Sequence, residues 1–416
     1  MSDVYIIGAY STIFRRWPDR SHKDLTREAY CGVLADAGLA NGDDIAMAWF
    51  GNCGMWVDGQ GSIRGQVCFT PLVREGLFPE RVPIINVEGG CATASMALHG
   101  AWKDILSGQS ELSLAIGLEK TLYPDQPGKT QALFEGGIDQ YDPQEWRAYY
   151  EAAGQAAGKA FAPGADRTIF MDTYAMQASH HMKTYGTTAE QIAYGAAKNH
   201  AHAVHNDRAQ YRFAMTPDEV LADRMVSAPL TRAMCAPISD GAAAALLCSE
   251  AYLRRLPAAT QSRAVRVAAS ALSGGKYRAL DEPGLSRIAA DKAYRAAGIS
   301  ADRIDVAEVH DATSFCEIYQ AEMLGFCAPG AGGPFVASGA TALGGQIPIN
   351  TSGGLVSKGH PVGATGLSMI YELAKQLRGE AGPRQVAGAR WALAENGGGV
   401  VGFDEAACSV IILEHG

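Results

Sequence analysis

The chain has no CxxC pair, and its nine cysteines are scattered along 416 residues. A disulfide framework is dense and usually even in number, so this pattern excludes a small cross-linked fold. It points instead to reduced thiols in a cytoplasmic compartment. No apolar run approaches the roughly 18–20 residues that cross a bilayer, so no membrane span is expected. The opening MSDVYIIGAY enters a strand-like run without a basic, then apolar, leader, and a secretory signal is not expected. The closing EHG is neither a lipidation nor a peroxisomal signal. There is no GxxxxGK[ST] loop and no strand-linked dinucleotide fingerprint, so the common nucleotide-binding motifs are missing. Basic residues are in the minority: 35 Lys and Arg against 44 Asp and Glu give a net charge of -9. An acidic chain repels a polyanion, and nucleic acid is not an expected partner.

Hydrophobic residues make up 47% of the chain and charged residues 19%, enough apolar material for a large core. The length suits two packed domains, or one duplicated fold with an insertion. Val4 to Gly8 reads as a strand and Asp24 to Leu39 as a helix. Pro83 to Val87 reads as a buried strand, Glu88-Gly89-Gly90 as a tight turn, and Cys91 opens a helical stretch. Leu112 to Leu118 is a further strand, so the grammar is that of a layered α/β fold. From Tyr123 to about Met234 the texture becomes more polar and proline-broken, with amphipathic helices such as Ala189 to His202, and reads as a mostly helical insertion. In the second half Ala264 to Ala269 and Val306 to Val309 are strand-like, as are ARWALAEN and Cys408 to Leu413. CATASMALHGAW and GATGLSMIYELA both run from a Gly-rich turn through Ala-Thr into a helix, each followed by a strand, which predicts an internal duplication.

Candidate chemistry gathers at four places. Cys91 follows two glycines between a strand and a helix. Helix N-terminal N–H groups there are expected to lower the thiol pKa and to hold an oxyanion. The alternative is a buried structural cysteine. His360, in SKGHPVGATG, is the natural base for a thiol, or else a turn residue. His310-Asp311 ends a strand; His310 reads as functional and Asp311 as a structural helix N-cap. Glu395 precedes Gly397-Gly398-Gly399, whose exposed N–H groups offer an anion site, and is either a base or a solvated loop charge. Trp56, Phe134, Trp146 and Tyr149 either line a bulky pocket or belong to the core. His180-His181 and His200, His202, His205 are taken as a solvated helix face rather than a metal site.

The ordered set GGCATAS, HDATSF, NTSGGLVSKGHPVGATG and ENGGG resembles the thiolase superfamily, and with YGTTAEQIA and PISDGAAAALL is most similar to its sterol-carrier-protein-X branch. The resemblance implies an α/β thiolase fold, two duplicated halves in a five-layer αβαβα arrangement with an inserted helical loop domain. The implied division is 1–265, interrupted by 122–234, and 266–416. It implies an acyl-CoA C-acyltransferase with Cys91 as acyl acceptor, His360 as its activator, His310 in a first oxyanion site, and the N–H groups of Cys91 and Gly397 in a second. Coenzyme A and acyl-CoA thioesters are then substrates, with no permanently bound cofactor and no metal, in a homodimer or homotetramer. Two departures stand out. Glu395 occupies the place of the usual second cysteine, with Cys408 too far along the final strand to replace it. Cys235-Ala236-Pro237 stands where many thiolases have a serine against coenzyme A. The alternatives are a partner-dependent acyltransferase or aldolase subunit with a small accessory protein, and a non-catalytic acyl-CoA or lipid carrier.

Overall fold

The computed structural model describes residues 3–415. Eleven strands form in chain order: β1 (Val4–Ser11), β2 (Met47–Gly51), β3 (Ile84–Val87), β4 (Leu112–Glu119), β5 (Met225–Ser227), β6 (Leu230–Thr231), β7 (Gly241–Ser249), β8 (Val265–Gly274), β9 (Val306–Glu308), β10 (Trp391–Gly398) and β11 (Ala407–Glu414). Nine of them make one hydrogen-bonded sheet in the order β3-β2-β4-β7-β1-β8-β11-β10-β9. β5 and β6 form a separate small hairpin in the insertion.

The sheet order records the duplication. From its middle outward the first half reads β1, β7, β4, β2, and the second reads β8, β11, β10, β9. Pair directions match step by step: β1–β7 and β8–β11 are antiparallel, β7–β4 and β11–β10 are antiparallel, and β4–β2 and β10–β9 are parallel. The first half adds β3 beside β2; the second has a single parallel bridge, Ala307 to Ile349, at the corresponding place. The seam between halves is short, with Tyr5 opposite Arg266 and Ile6 opposite Val265.

Side-chain alternation along the strands builds the layers, because successive residues point to opposite faces. Ala243, Ala245 and Leu247 of β7 join an inner core with helices Thr93–Leu106 and Thr365–Leu377. Ala242, Ala244 and Leu246 face the other way, against helix His22–Ala37. In the second half Leu393, Val410 and Ile412 pack outward on helix Leu285–Ala297, and Ala394 and Ile411 inward. The sequence is thus α, β, α, β, α, with two helices sealed between the sheet halves. That position explains the small residues of β7, GAAAALLCS, buried along its whole length.

The segment between β4 and β7 is mostly helical: Pro127–Glu135, Pro143–Ala157, Ile169–Tyr185, Ala189–Ala203 and Pro217–Ala222. Three of its histidines, His181, His200 and His202, are buried rather than solvated, while His180 is half-buried and His205 exposed. His181 is buried between the Thr187 hydroxyl (2.9 Å) and the Glu322 carboxylate (3.2 Å). His202 is buried between the Asn350 carbonyl and the Leu343 N–H, and His200 lies over Phe213 and Tyr211. Helical spacing alone did not reveal that the insertion packs its His-bearing face inward. Trp146 and Tyr149 are core residues of this region: the indole donates to Asp139 O (2.9 Å) and the phenol to Arg278 O (3.0 Å). Among the described residues, no helix is long and apolar enough to cross a membrane. All nine cysteines are free thiols.

Candidate active site

Cys91 sits in the turn after β3. The helix begins at Thr93 with Ala92 as its N-cap, so the thiol stands just ahead of the first turn rather than inside it. Gly90 has φ 56°, and a Cβ there would lie 2.5 Å from Gly399 N. A Cβ on Gly398 would lie 2.6 Å from Cys91 N and 2.2 Å from Gly89 O. Glycine is therefore required on both sides of the contact, which presses the end of β10 directly onto the Cys91 turn. Gly398, not Gly397, is the glycine against the Cys91 backbone; Gly397 faces Glu405.

His360 arrives from the other half. Gly359, at φ 109°, and Pro361 fix its backbone, and its N–H donates to Ser239 Oγ (3.1 Å). Its ring bridges two groups: Nε2 lies 3.0 Å from Cys91 Sγ, and Nδ1 lies 2.7 Å from Thr365 Oγ1. The tautomer follows from the network. Thr365 donates its hydroxyl proton to Pro361 O (3.1 Å), so its oxygen accepts from His360 Nδ1–H. That leaves the Nε2 lone pair facing the Cys91 thiol, the arrangement a base needs. Thr365 was not singled out in the sequence; the signal is its place five residues after the histidine, in the first turn of the equivalent helix.

His310 completes the group. Its ring centroid is 5.2 Å from that of His360, and one reactive atom from each of Cys91, His310 and His360 lies within 4.8 Å of the others. His310 Nε2 is buried without a hydrogen-bond partner in the protein. Such a trio also has the composition of a metal site. The 3.0 Å separation of Sγ and Nε2 is a hydrogen-bond contact, however, whereas ligands of one tetrahedral ion at usual bond lengths stand about 3.5 Å apart.

Burial sets the protonation states. It pushes the Cys91 thiol up to about 12; the turn's own N–H lowers it by less. Desolvation therefore outweighs the helix-end effect expected from sequence. Burial lowers His310 to about 4 and holds His360 well below its ordinary range, with His310 and Lys358 adding to the latter. The resting site is thus a thiol hydrogen-bonded to a neutral imidazole.

Glu395 is neither a solvated charge nor a member of the trio. It is fully buried within β10, accepting from His310 N (3.0 Å) and from the Cys408 thiol (3.4 Å). Cys408 is therefore close to Glu395, contrary to the expectation from chain position, because the β10–β11 pairing sets Gly397 opposite Cys408. Burial, and then the neighbouring Glu405 charge, push Glu395 up to about 8. Asp311 is structural as expected, but not as a helix cap: Thr313 holds that position, while Asp311 accepts from Leu355 N (2.6 Å) and Asn199 Nδ2 (2.8 Å).

A cavity of about 720 Å³ opens beside Cys91, lined in part by Trp56 and Phe134. A second cleft, of about 540 Å³, lies in the insertion between Tyr211, Phe213, Arg232 and Cys235. It borders the His310 loop, since Ala236 N donates to Ala312 O (3.0 Å).

A duplicated five-layer α/β fold, with a thiol from one half against an imidazole from the other, defines a class of proteins that pair a cysteine and a histidine across the junction of two like halves. Its family is shown by comparison: residues 4–251 match "Thiolase, N-terminal domain" and residues 283–414 match "Thiolase C-terminal domain-like". The chain belongs to the thiolase family and is a thiolase-family acyltransferase. It is 36% identical over 411 residues to the acetyl-CoA acetyltransferase of Methanothermobacter thermautotrophicus, covering 97% of this chain and 98% of that one. It is 37% identical over 434 residues to human sterol carrier protein 2, covering 98% of this chain and 73% of that one. Among solved structures, "Ltp2-ChsH2(DUF35) aldolase" superposes with a TM-score of 0.78 at 23% identity, covering 100% and 98% of the two chains, which speaks for the fold.

Proposed function

We propose that this chain is an acyl-CoA C-acyltransferase that carries its acyl group on Cys91. The observation that carries the reading is the Cys91–His360–Thr365 line, with contacts of 3.0 and 2.7 Å and the base lone pair toward the thiol. As Cys91 Sγ attacks the thioester carbonyl, its proton passes to His360 Nε2. The carbonyl oxygen becomes an oxyanion, met by His310 Nε2–H and by backbone N–H groups at the Cys91 turn. Collapse expels the coenzyme A sulfur, which takes the proton from His360 and leaves an acyl-Cys91 thioester. The second step is either the reverse attack by a coenzyme A thiol or attack by a carbon acid. Glu395, raised to about 8, is the carboxyl nearest this chemistry for the latter step, tied to the site through the His310 backbone rather than lining the cavity. The insertion cleft, whose wall lies against the His310 loop, is the place for coenzyme A in this reading, with Arg232, paired with Asp223, at its rim.

β3 is the sheet edge, with Ile85 exposed on it and its outer side met by a side chain only at Ile84 O, which accepts from Gln66 Nε2 (2.7 Å) among the described residues; this edge supports a homodimer. A second reading is favoured by the position of Glu395, which bonds no side chain of the trio: a lyase or acyltransferase subunit that completes its site with a small partner protein. A solved structure of the same fold, the Ltp2-ChsH2(DUF35) aldolase, is in keeping with that alternative.

Intact-protein mass after brief mixing with acyl-CoA donors tests the proposal. An acyl-sized gain in the wild type and none in Cys91→Ala is the expected result. Equal turnover by Cys91→Ala would show that no covalent intermediate forms there.

A further inference from the structure

The cavity beside Cys91 is much larger than an acetyl group. At about 30 Å³ per water-sized group, its 720 Å³ has room for on the order of 24 such groups, whereas an acetyl group has three heavy atoms. Its inner wall is apolar. Leu133 and Val362 share a buried cluster with Cys91, with Phe134 packed against it, and Phe170 stands edge-on to Phe134 at 6.5 Å. Trp56 closes one side and is 48% exposed, a large ring left facing open space.

Of the polar groups on the lining, Cys53 and the two carboxylates, Asp139 and Glu88, are held by neighbours. Cys53 Sγ contacts Gly90 O (3.3 Å) and Thr93 Oγ1 (2.9 Å). The Asp139 carboxylate accepts from Tyr141 N (2.7 Å) and Asp142 N (3.1 Å) within its own loop. Glu88 is at the exposed rim and pairs with Arg64. A carboxylate on a bound chain would meet two like charges, Glu88 and Asp139, and no basic side chain among the residues that line the cavity.

Resting on the acyl-transfer reading above, we infer that the group carried on Cys91 is bulky and apolar, a medium-to-long or ring-bearing acyl chain rather than acetyl, housed in this cavity. Each methylene moved from water into such a wall is worth roughly fourfold in binding. The aromatic edges accept a ring as readily as a chain.

The test is the second-order rate of Cys91 acylation by acetyl-, octanoyl-, 4-phenylbutanoyl- and succinyl-CoA, read by intact mass. Octanoyl- and 4-phenylbutanoyl-CoA are expected to exceed acetyl-CoA by about tenfold or more, with succinyl-CoA no faster than acetyl-CoA. Ala406 lines the cavity from an exposed position. Ala406→Trp puts an indole into it and lowers the phenylbutanoyl-to-acetyl ratio about tenfold. Fastest acylation by acetyl-CoA, fast acylation by succinyl-CoA, or a ratio unmoved by Ala406→Trp overturns the inference and leaves acyl transfer standing. Absence of an adduct with every donor overturns both.

Discussion

Thr365→Val isolates one link of the proposed base. Valine keeps the shape of threonine and removes the hydroxyl that accepts from His360 Nδ1 at 2.7 Å. Thr365 is fully buried, so water does not readily take the hydroxyl's place. A buried donor stripped of its acceptor costs about 1–3 kcal/mol. The imidazole can avoid that cost only by turning or by moving its proton to Nε2, and either change removes the lone pair from Cys91. At 1.4 kcal/mol per factor of ten, Cys91 acylation slows about fivefold to 150-fold. Rapid-quench mass spectrometry gives that rate as a function of donor concentration. The loss belongs in the limiting rate, with the donor concentration for half-saturation little changed, because Thr365 touches the base and not the cavity. Thr365→Ser keeps the acceptor and restores most of the rate. A wild-type limiting rate in Thr365→Val would refute the tautomer argument, and loss in both variants would indicate disturbed packing instead.

Two further outcomes follow from the burial of the site. A thiol held at about 12 has roughly one thiolate in 10⁵ at pH 7, so iodoacetamide should modify Cys91 about tenfold faster per pH unit between pH 7 and 10; a plateau near neutrality would reveal a resting thiolate–imidazolium pair. Glu395 is raised to about 8 in the fold and lies near 4.5 when unfolded, so between those values the folded state binds more protons and stability falls as pH rises. Glu395→Gln removes that slope, and denaturant melts should show the variant gaining on the wild type by several kcal/mol, on the order of 1.4 per unit, from pH 5 to 8. An equal difference at both pH values would place the Glu395 carboxyl in its ordinary range.

Local grammar made much of this site legible. A strand, two glycines, a cysteine and a helix marked Cys91, and the Gly-rich turn at His360 marked its partner, because close backbone approach leaves a composition that can be read directly. The rest depends on what lies far away in the chain. The cavity wall at Leu133, Phe134 and Phe170 comes from the insertion, where an aromatic at helical spacing looks the same whether it faces a core or a ligand; Trp56 and Phe134 reach the cavity, while Trp146 and Tyr149 do not. Cys408 meets Glu395 only because β10 and β11 pair, a register no spacing displays. Nor does a helix-end position reveal how deeply the thiol is buried, and burial decided its protonation state.

The duplication accounts for why the reacting pair is placed so well. Cys91 precedes helix Thr93–Leu106, and His360 precedes helix Thr365–Leu377; each helix follows a Gly-rich turn in its own half. Both are sealed into the inner layer, where they share one core, so their N-terminal turns meet at the junction of the halves. Two copies of one supersecondary unit thus supply nucleophile and base from the turns ahead of matching helices, Cys91 two residues before Thr93 and His360 five before Thr365. Thr93 and Thr365 show how far the correspondence goes. Thr93 opens the first helix and accepts from Gly89 N (2.8 Å), bracing the Cys91 turn; Thr365 opens the second and braces the His360 ring. The helix-start threonine therefore supports the loop that presents the thiol in one half and orients the base in the other. A position rigid enough to hold a 3.0 Å contact across the junction follows from packing the start of both helices into one core, Thr93 to Ser95 and Thr365 to Ile370 being buried.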